Sequence, residues 1–213
     1  MNKNFCILLD KNNNWLEPYV TQFLNKINLD IKKHLIYDLK NLNKFEICFV
    51  LGYMKILGED VIKDSCKYYV IHESSLPKGK GFAPLTWQVL EGKKKIEACL
   101  IELSDPVDSG RIALKRTITL TGLELYEDLR AKQAATTFDL ISCFLQDPLS
   151  INYKSQSGVS TFYKKRNTKD SKLDINKSIQ DQFNLLRVCN NDEWPAYFEV
   201  DNQKYILKIY KSD

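Results

Sequence analysis

Histidine is scarce in this chain, with only His34 and His72, and the six cysteines stand singly at positions 6, 48, 66, 99, 143 and 189 with no Cys-x-x-Cys pair. A structural zinc site gathers about four thiolate or imidazole ligands, so no metal is expected here. Most of the cysteines lie in apolar runs, where a free thiol packs as a small hydrophobe, and they read as reduced core residues. Long apolar runs are missing too: none approaches the roughly 18 to 20 residues that cross a bilayer. The opening Met1-Asn-Lys-Asn-Phe5 leads into an apolar stretch too short for a signal peptide. No membrane insertion and a cytoplasmic location are the resulting expectations. The net charge is only +4, with lysines scattered among acids, so no basic face suits a long phosphate backbone and nucleic acid is not an expected partner. There is no internal repeat and no low-complexity segment.

What is present suits one core with a small appended part: 213 residues, 44% of them hydrophobic and 27% charged. Phe5-Cys-Ile-Leu-Leu9 is a continuous apolar run of the kind a buried parallel strand needs, and Trp15 to Ile27 then carries apolar residues at helical spacing. Strands are expected around Lys33 to Tyr37, at Glu46 to Leu51, before His72, at Lys95 to Leu103 and at Arg111 to Leu120. A short helix over Pro84 to Leu90 begins with proline in its first turn and is stopped by Gly92, and Gly122 to Gln146 reads as a long amphipathic helix. This alternation predicts an α/β fold, a mostly parallel sheet with helices on its faces. Residues 150 to 174 read as a polar connection, Ile175 to Val188 as a last helix, and Ala196 to Tyr210 as a hairpin turning at Asp201-Asn202. The expected organisation is a catalytic domain over 1–148 and a small extension, helix plus β-hairpin, over 149–213. The long helix is as able to bury a homodimer face as an intramolecular one.

Two segments draw attention for chemistry. His72 ends the apolar run Tyr68-Tyr-Val-Ile71 and opens the glycine-punctuated basic loop Glu73-Ser-Ser-Leu-Pro-Lys-Gly-Lys-Gly-Phe82, while Asp108 follows in Val107-Asp-Ser-Gly110. An imidazole changes charge near neutrality, and a carboxylate beside it can orient it or take a proton. Spacing alone leaves open whether the two meet; the plain alternative is a strand leaving the core through a turn. Upstream, the strand ending at Leu51 breaks at Gly52, which permits close approach of a ligand to the backbone at the carboxyl end of a sheet.

Residues 72–110, with His72 to Pro84, the helix ending Glu91-Gly92 and Asp105-Pro-Val-Asp-Ser-Gly110, resemble the folate-dependent formyltransferases in order, spacing and residue type. The resemblance implies a Rossmann-like fold and formyl transfer from 10-formyltetrahydrofolate to a primary amine, with His72 and Asp108 as catalytic residues. Gly52-Tyr53-Met54-Lys55-Ile56-Leu57 looks like the segment that lies along the folate in that family, so these residues and Asp105 are the implied cofactor-binding set. One departure stands out. The family has an asparagine two residues before the histidine, a donor for the developing oxyanion, and Val70 occupies that place.

Within the family, the acceptor is implied by further segments. The methionyl-tRNA enzyme carries a large carboxyl-terminal nucleic-acid-binding domain, and the glycinamide ribonucleotide enzyme a glycine-rich loop after its first strand, where this chain has Asp10-Lys-Asn-Asn-Asn14; both substrates are disfavoured. Thr161 to Asp174 and Gln182-Phe-Asn-Leu-Leu-Arg187 resemble segments of the nucleotide-sugar formyltransferases, as does Lys78-Gly-Lys-Gly81. A nucleotide-linked amino sugar, used for surface glycan, is therefore the expected partner. Ser74, Lys78, Gly79, Lys80, Gly81 and Phe82 form the expected acceptor site, with Lys164, Lys165 and Arg166 as further phosphate donors or as a solvated surface run. The alternatives are a formyltransferase for another amino sugar, such as a nonulosonic acid intermediate, and a catalytically silent folate or sugar-nucleotide binding protein, the latter motivated by Val70.

Overall fold

Unbroken apolar runs become the central strands, because only a strand covered on both faces can bury every side chain. The computed structural model describes residues 4–11, 15–29, 31–40, 42–53, 57 and 66–212. In chain order its strands are β1 (Asn4–Leu9), β2 (Lys32–Ile36), β3 (Ile47–Leu51), β4 (Lys67–His72), β5 (Lys80–Gly81), β6 (Lys95–Glu102), β7 (Ile112–Thr119), β8 (Phe162–Tyr163), β9 (Ala196–Val200) and β10 (Gln203–Leu207). The α-helices are α1 (Glu17–Lys26), α2 (Pro84–Leu90), α3 (Tyr126–Gln146) and α4 (Phe183–Arg187).

A six-stranded sheet runs in the order β2-β1-β3-β4-β6-β7. The first four strands are parallel, as expected, and β6 and β7 add antiparallel. The β6–β7 pair has a local cause: residues 103–111 join the two strands by a turn, and a parallel neighbour would need a crossover of a dozen residues or more. On one face Phe5, Phe49, Tyr69 and Phe144 of α3 meet, with the Phe49 and Phe144 rings 5.8 Å apart and perpendicular at 90°. On the other, Cys6, Leu8, Cys48, Val50 and Tyr68 pack with Leu57. Among the described residues no helix is long and apolar enough to cross a membrane.

Three expectations for element boundaries change. Helix α3 starts at Tyr126 rather than Gly122, because the Glu124 carboxylate accepts the backbone N–H groups of Thr121 and Gly122 and holds a turn there. The last helix covers only Phe183–Arg187. Its anticipated first half is instead a set of turns in which the Gln182 amide donates to the carbonyls of Asp174, Lys177 and Ser178. The polar connection is also not featureless, since it contains β8 and a 3-10 turn at Thr168–Ser171. At the carboxyl end Asp201 and Asn202 both take positive φ, 49° and 66°, the geometry that lets β9 and β10 form a tight hairpin.

The region after α3 is tied to the sheet domain by one buried ion pair. Arg187 of α4 reaches the Glu124 carboxylate at 2.9 Å and also donates through Nε to the Glu124 carbonyl at 2.8 Å. Both side chains are buried. Burial alone would push the Glu124 carboxyl up, but the backbone donors of Thr121 and Gly122 outweigh it and hold it at about 2. A depressed carboxyl stabilises the fold above its unfolded value of 4.5 and loses that contribution as pH falls from there toward about 2. Glu124→Gln is therefore expected to cost roughly 3 kcal/mol at neutral pH. Urea unfolding at pH 7 and pH 3 checks this: the deficit should shrink at the lower pH, and a deficit of equal size at both would show that the charge is irrelevant.

Candidate active site

Parallel pairing of β3 with β4 brings Gly52 and His72 to the same edge of the sheet, where the two strands end. Two residues past His72 the chain turns sharply, with the N–H of Ser74 donating to the His72 carbonyl and that of Leu76 to the Ser74 carbonyl. The loop then folds back over the imidazole. His72 is 6% exposed, and its Nε2 lies 2.8 Å from the Gly79 carbonyl. A carbonyl oxygen only accepts, so Nε2 carries the proton and donates it. Nδ1 is left facing Asp108, 3.5 Å from Oδ1. The other carboxylate oxygen, Oδ2, accepts the Gly81 N–H at 2.9 Å. The histidine and aspartate expected to act together thus lie side by side, and one loop holds both.

The same loop is pinned from outside by β8. Lys80 and Phe82 donate backbone bonds to Thr161 and Tyr163, and the Gly79 N–H donates to the Thr161 hydroxyl at 2.8 Å. Glycine is required at position 81: φ is +94°, and a Cβ would stand 2.5 Å from the Tyr163 carbonyl oxygen. Tyr163 stacks on Trp87 with ring centroids 6.1 Å apart, and its hydroxyl donates to Glu91. Burial and that bond push its pKa up.

Not all of the expected acceptor residues face the open side. Lys78 is exposed, and Phe82 is 48% exposed with the Lys165 ammonium 5.9 Å from its ring centroid. Lys80 is only 7% exposed and turns inward to donate to the Ser109 hydroxyl at 2.6 Å; among the described residues it has no carboxylate partner. Ser74 lies beneath the loop at 1% exposure, packed under Gly79, and its hydroxyl has no hydrogen-bond partner among the described residues. Lys164 pairs with Asp170 at 2.7 Å and Arg166 donates to the Asp170 carbonyl, so two of the three cations expected to be available for phosphate are already engaged.

Of the expected cofactor segment, Gly52 takes a positive φ of 55° at the exposed strand end. Tyr53 packs against the lower apolar cluster, and burial together with the nearby Asp10 and Asp38 carboxylates raises its pKa. Leu57 is buried in that cluster, and Asp105 is exposed. Met54, Lys55 and Ile56 lie outside the described residues. Beside the Asp108 turn opens a cleft of about 590 Å³, lined among others by Tyr68, Leu103, Ser104, Ser109 and Arg111. Its volume is in the range of small-molecule sites. The sequence offered no sign of this cleft, because its walls come from three separate strand ends. Burial pushes the Cys66 and Cys99 thiols up to about 12, which keeps these two unreactive. No three His, Cys, Asp or Glu side chains group as metal ligands among the described residues.

A family model described as formyl transferase matches residues 25–141, more than half of the chain and including both His72 and Asp108. The chain belongs to the formyl transferase family. Among its relatives is a methionyl-tRNA formyltransferase of Thermodesulfovibrio yellowstonii, 29% identical over 186 residues that cover 84% of this chain and 58% of the relative. The chain spans between 26% and 60% of the length of the first curated relatives it matches. Two solved structures share the fold: a methionyl-tRNA formyltransferase from Clostridium thermocellum (TM-score 0.80, 19% identity, 99% of this chain and 94% of that one) and a 4-N formyltransferase from Francisella tularensis (TM-score 0.73, 14% identity, 99% and 98%).

In this member of the formyl transferase family the loop glycine offers a direct check. Gly81→Ala must meet both a positive φ and the Tyr163 carbonyl, whereas Gly158→Ala meets a φ of +109° with nothing within 4 Å. Gly158→Ala is expected to cost about 1 kcal/mol, and Gly81→Ala about 2 kcal/mol more. Denaturant midpoints measure the difference; equal costs would mean that β8 does not pin the loop.

Proposed function

We propose that this protein transfers the formyl group of 10-formyltetrahydrofolate to the amine of a nucleotide-linked amino sugar. The observation that carries the reading is the convergence of the family's histidine and aspartate under a single loop whose other edge is β8. That loop and the β8 segment are two of the three stretches that resemble the nucleotide-sugar enzymes. The donor's ring is assigned to the Gly52 strand end beside His72, where β3 and β4 both finish. The acceptor amine approaches from the side of Lys78 and Phe82, where an exposed ring and two cations can take a sugar nucleotide.

In this mechanism the uncharged amine attacks the formyl carbon, the bond from that carbon to the donor nitrogen breaks, and the nitrogen leaves as tetrahydrofolate after taking up the proton that the amine gave up. Asp108 and the Nδ1 of His72 face each other across a gap of 3.5 Å, suited to receiving the proton that the amine loses. The Nε2 proton is committed to Gly79, which fixes the ring's orientation rather than leaving it free to rotate. The cytoplasm, where reduced folate and nucleotide sugars meet, suits a chain whose six cysteines are all unpaired.

A second reading, a binding protein without turnover, is favoured by one feature. Val70 packs into the apolar clusters beneath the loop, so no side-chain donor stands where the family places its asparagine. The assay that separates the readings follows tetrahydrofolate release with a panel of nucleotide-linked amino sugars, using wild type, His72→Asn and Asp108→Asn. Turnover by wild type and a drop of about 10² to 10⁴ in each variant are expected. Undiminished turnover in His72→Asn would overturn the assignment of that residue, and donor binding with no turnover by wild type would favour the binding protein.

A further inference from the structure

We infer that Gln156, in the polar stretch after α3, is a positioning residue for Asp108; the inference rests on the reading of His72 and Asp108 as the reacting pair. Its side-chain nitrogen donates to two carbonyls at once, that of Asp108 at 2.9 Å and that of Gly110 at 2.9 Å. Carbonyls only accept, so the amide is oriented by chemistry: the NH₂ group must face the turn. The opposite end of the amide, Oε1, is buried without a hydrogen-bond partner among the described residues. An unpartnered buried acceptor costs free energy, and the amide keeps this orientation because the alternative would set its oxygen against two carbonyl oxygens.

The turn needs such a hold. Asp108 has φ +57°, a left-handed conformation that non-glycine residues rarely adopt, and Gly110 admits no side chain because a Cβ would overlap the Glu102 carbonyl. The carboxylate's aim at His72 follows from this backbone geometry. Gln156 grips the backbone on both sides of Ser109, while Lys80 grips the Ser109 hydroxyl and the Gly81 N–H grips the carboxylate. A backbone bridge between Ile112 and Lys154 brings Gln156 to the turn. The Gln156 amide is the only one of these holds that comes from beyond α3 and acts on the Asp108 backbone itself.

The test uses two variants, Gln156→Met, which keeps the length but removes the donors, and Gln156→Glu, which sets a carboxylate against both carbonyls. Each is expected to lower kcat by about 10-fold or more while KM for donor and amine stays within about 3-fold, since misplacing a group by about 1 Å can cost 10²-fold. A spectroscopic readout needs no turnover. With only two histidines in the chain, a His34→Gln spectrum assigns the ring ¹⁵N resonances of His72. In Gln156→Met these should move in the same direction as in Asp108→Asn. Resonances at wild-type positions, or kcat within about 2-fold of wild type, would overturn the inference, as would a kcat loss that merely tracks the fraction unfolded. If wild type forms no formamide at all, the proposed function fails, and the ¹⁵N comparison still decides the role of Gln156.

Discussion

The closure of the Gly79 to Gly81 backbone onto His72 and Asp108 is the constraint on which the site depends. The Gly79 carbonyl takes one ring nitrogen and the Gly81 N–H takes one carboxylate oxygen, so a stretch of three residues sets the distance and angle between the two titratable groups. Backbone groups are well suited to this task because they cannot rotate away once the loop is paired. Pairing with β8 supplies that restraint, and the two glycines permit it. The position of the His72–Asp108 pair is thus decided by a segment that follows α3, well outside the part of the chain that carries the pair.

The same logic explains why the carboxyl-terminal part matters to the sheet domain. Thr161 and Gln156 reach the loop and the Asp108 turn, and Arg187 reaches Glu124 at the start of α3. A buried ion pair contributes little net stability compared with an apolar pair, but removing one partner leaves a charge stranded. It therefore acts as a demanding connector, tolerating one arrangement of α4 against α3. The inward-turned Lys80 is a second buried cation, held by a neutral hydroxyl rather than by an acid.

Legibility in the sequence divides along physical lines. The strands β1 and β3 were readable because continuous apolar runs mean burial on both faces, and α2 because proline and glycine punctuate it. His72 and Asp108 were readable through the order and spacing of the formyltransferase motif. The antiparallel entry of β6 and β7 was not, since apolar content says nothing about strand direction. The truncated α4 was missed because Gln182 satisfies three carbonyls that a helix would otherwise use, a choice made by side-chain geometry. Gln156 gave no signal at all: a polar residue in a polar connection looks like solvent-facing chain until the fold shows what it touches. Exposure was likewise invisible, so Ser74 and Lys80, which carry the right chemistry for an acceptor site, lie inside the loop.

For this member of the formyl transferase family we propose an amino sugar on a nucleotide as the acceptor of the formyl group. The most direct measurement supplies 10-formyltetrahydrofolate labelled with ¹³C in the formyl group, together with nucleotide-linked amino sugars or with initiator methionyl-tRNA, and follows the carbon by NMR. The account expects a new formamide carbon on the sugar nucleotide and none on the tRNA. A formamide on the tRNA alone, with the sugar nucleotides untouched, would contradict it.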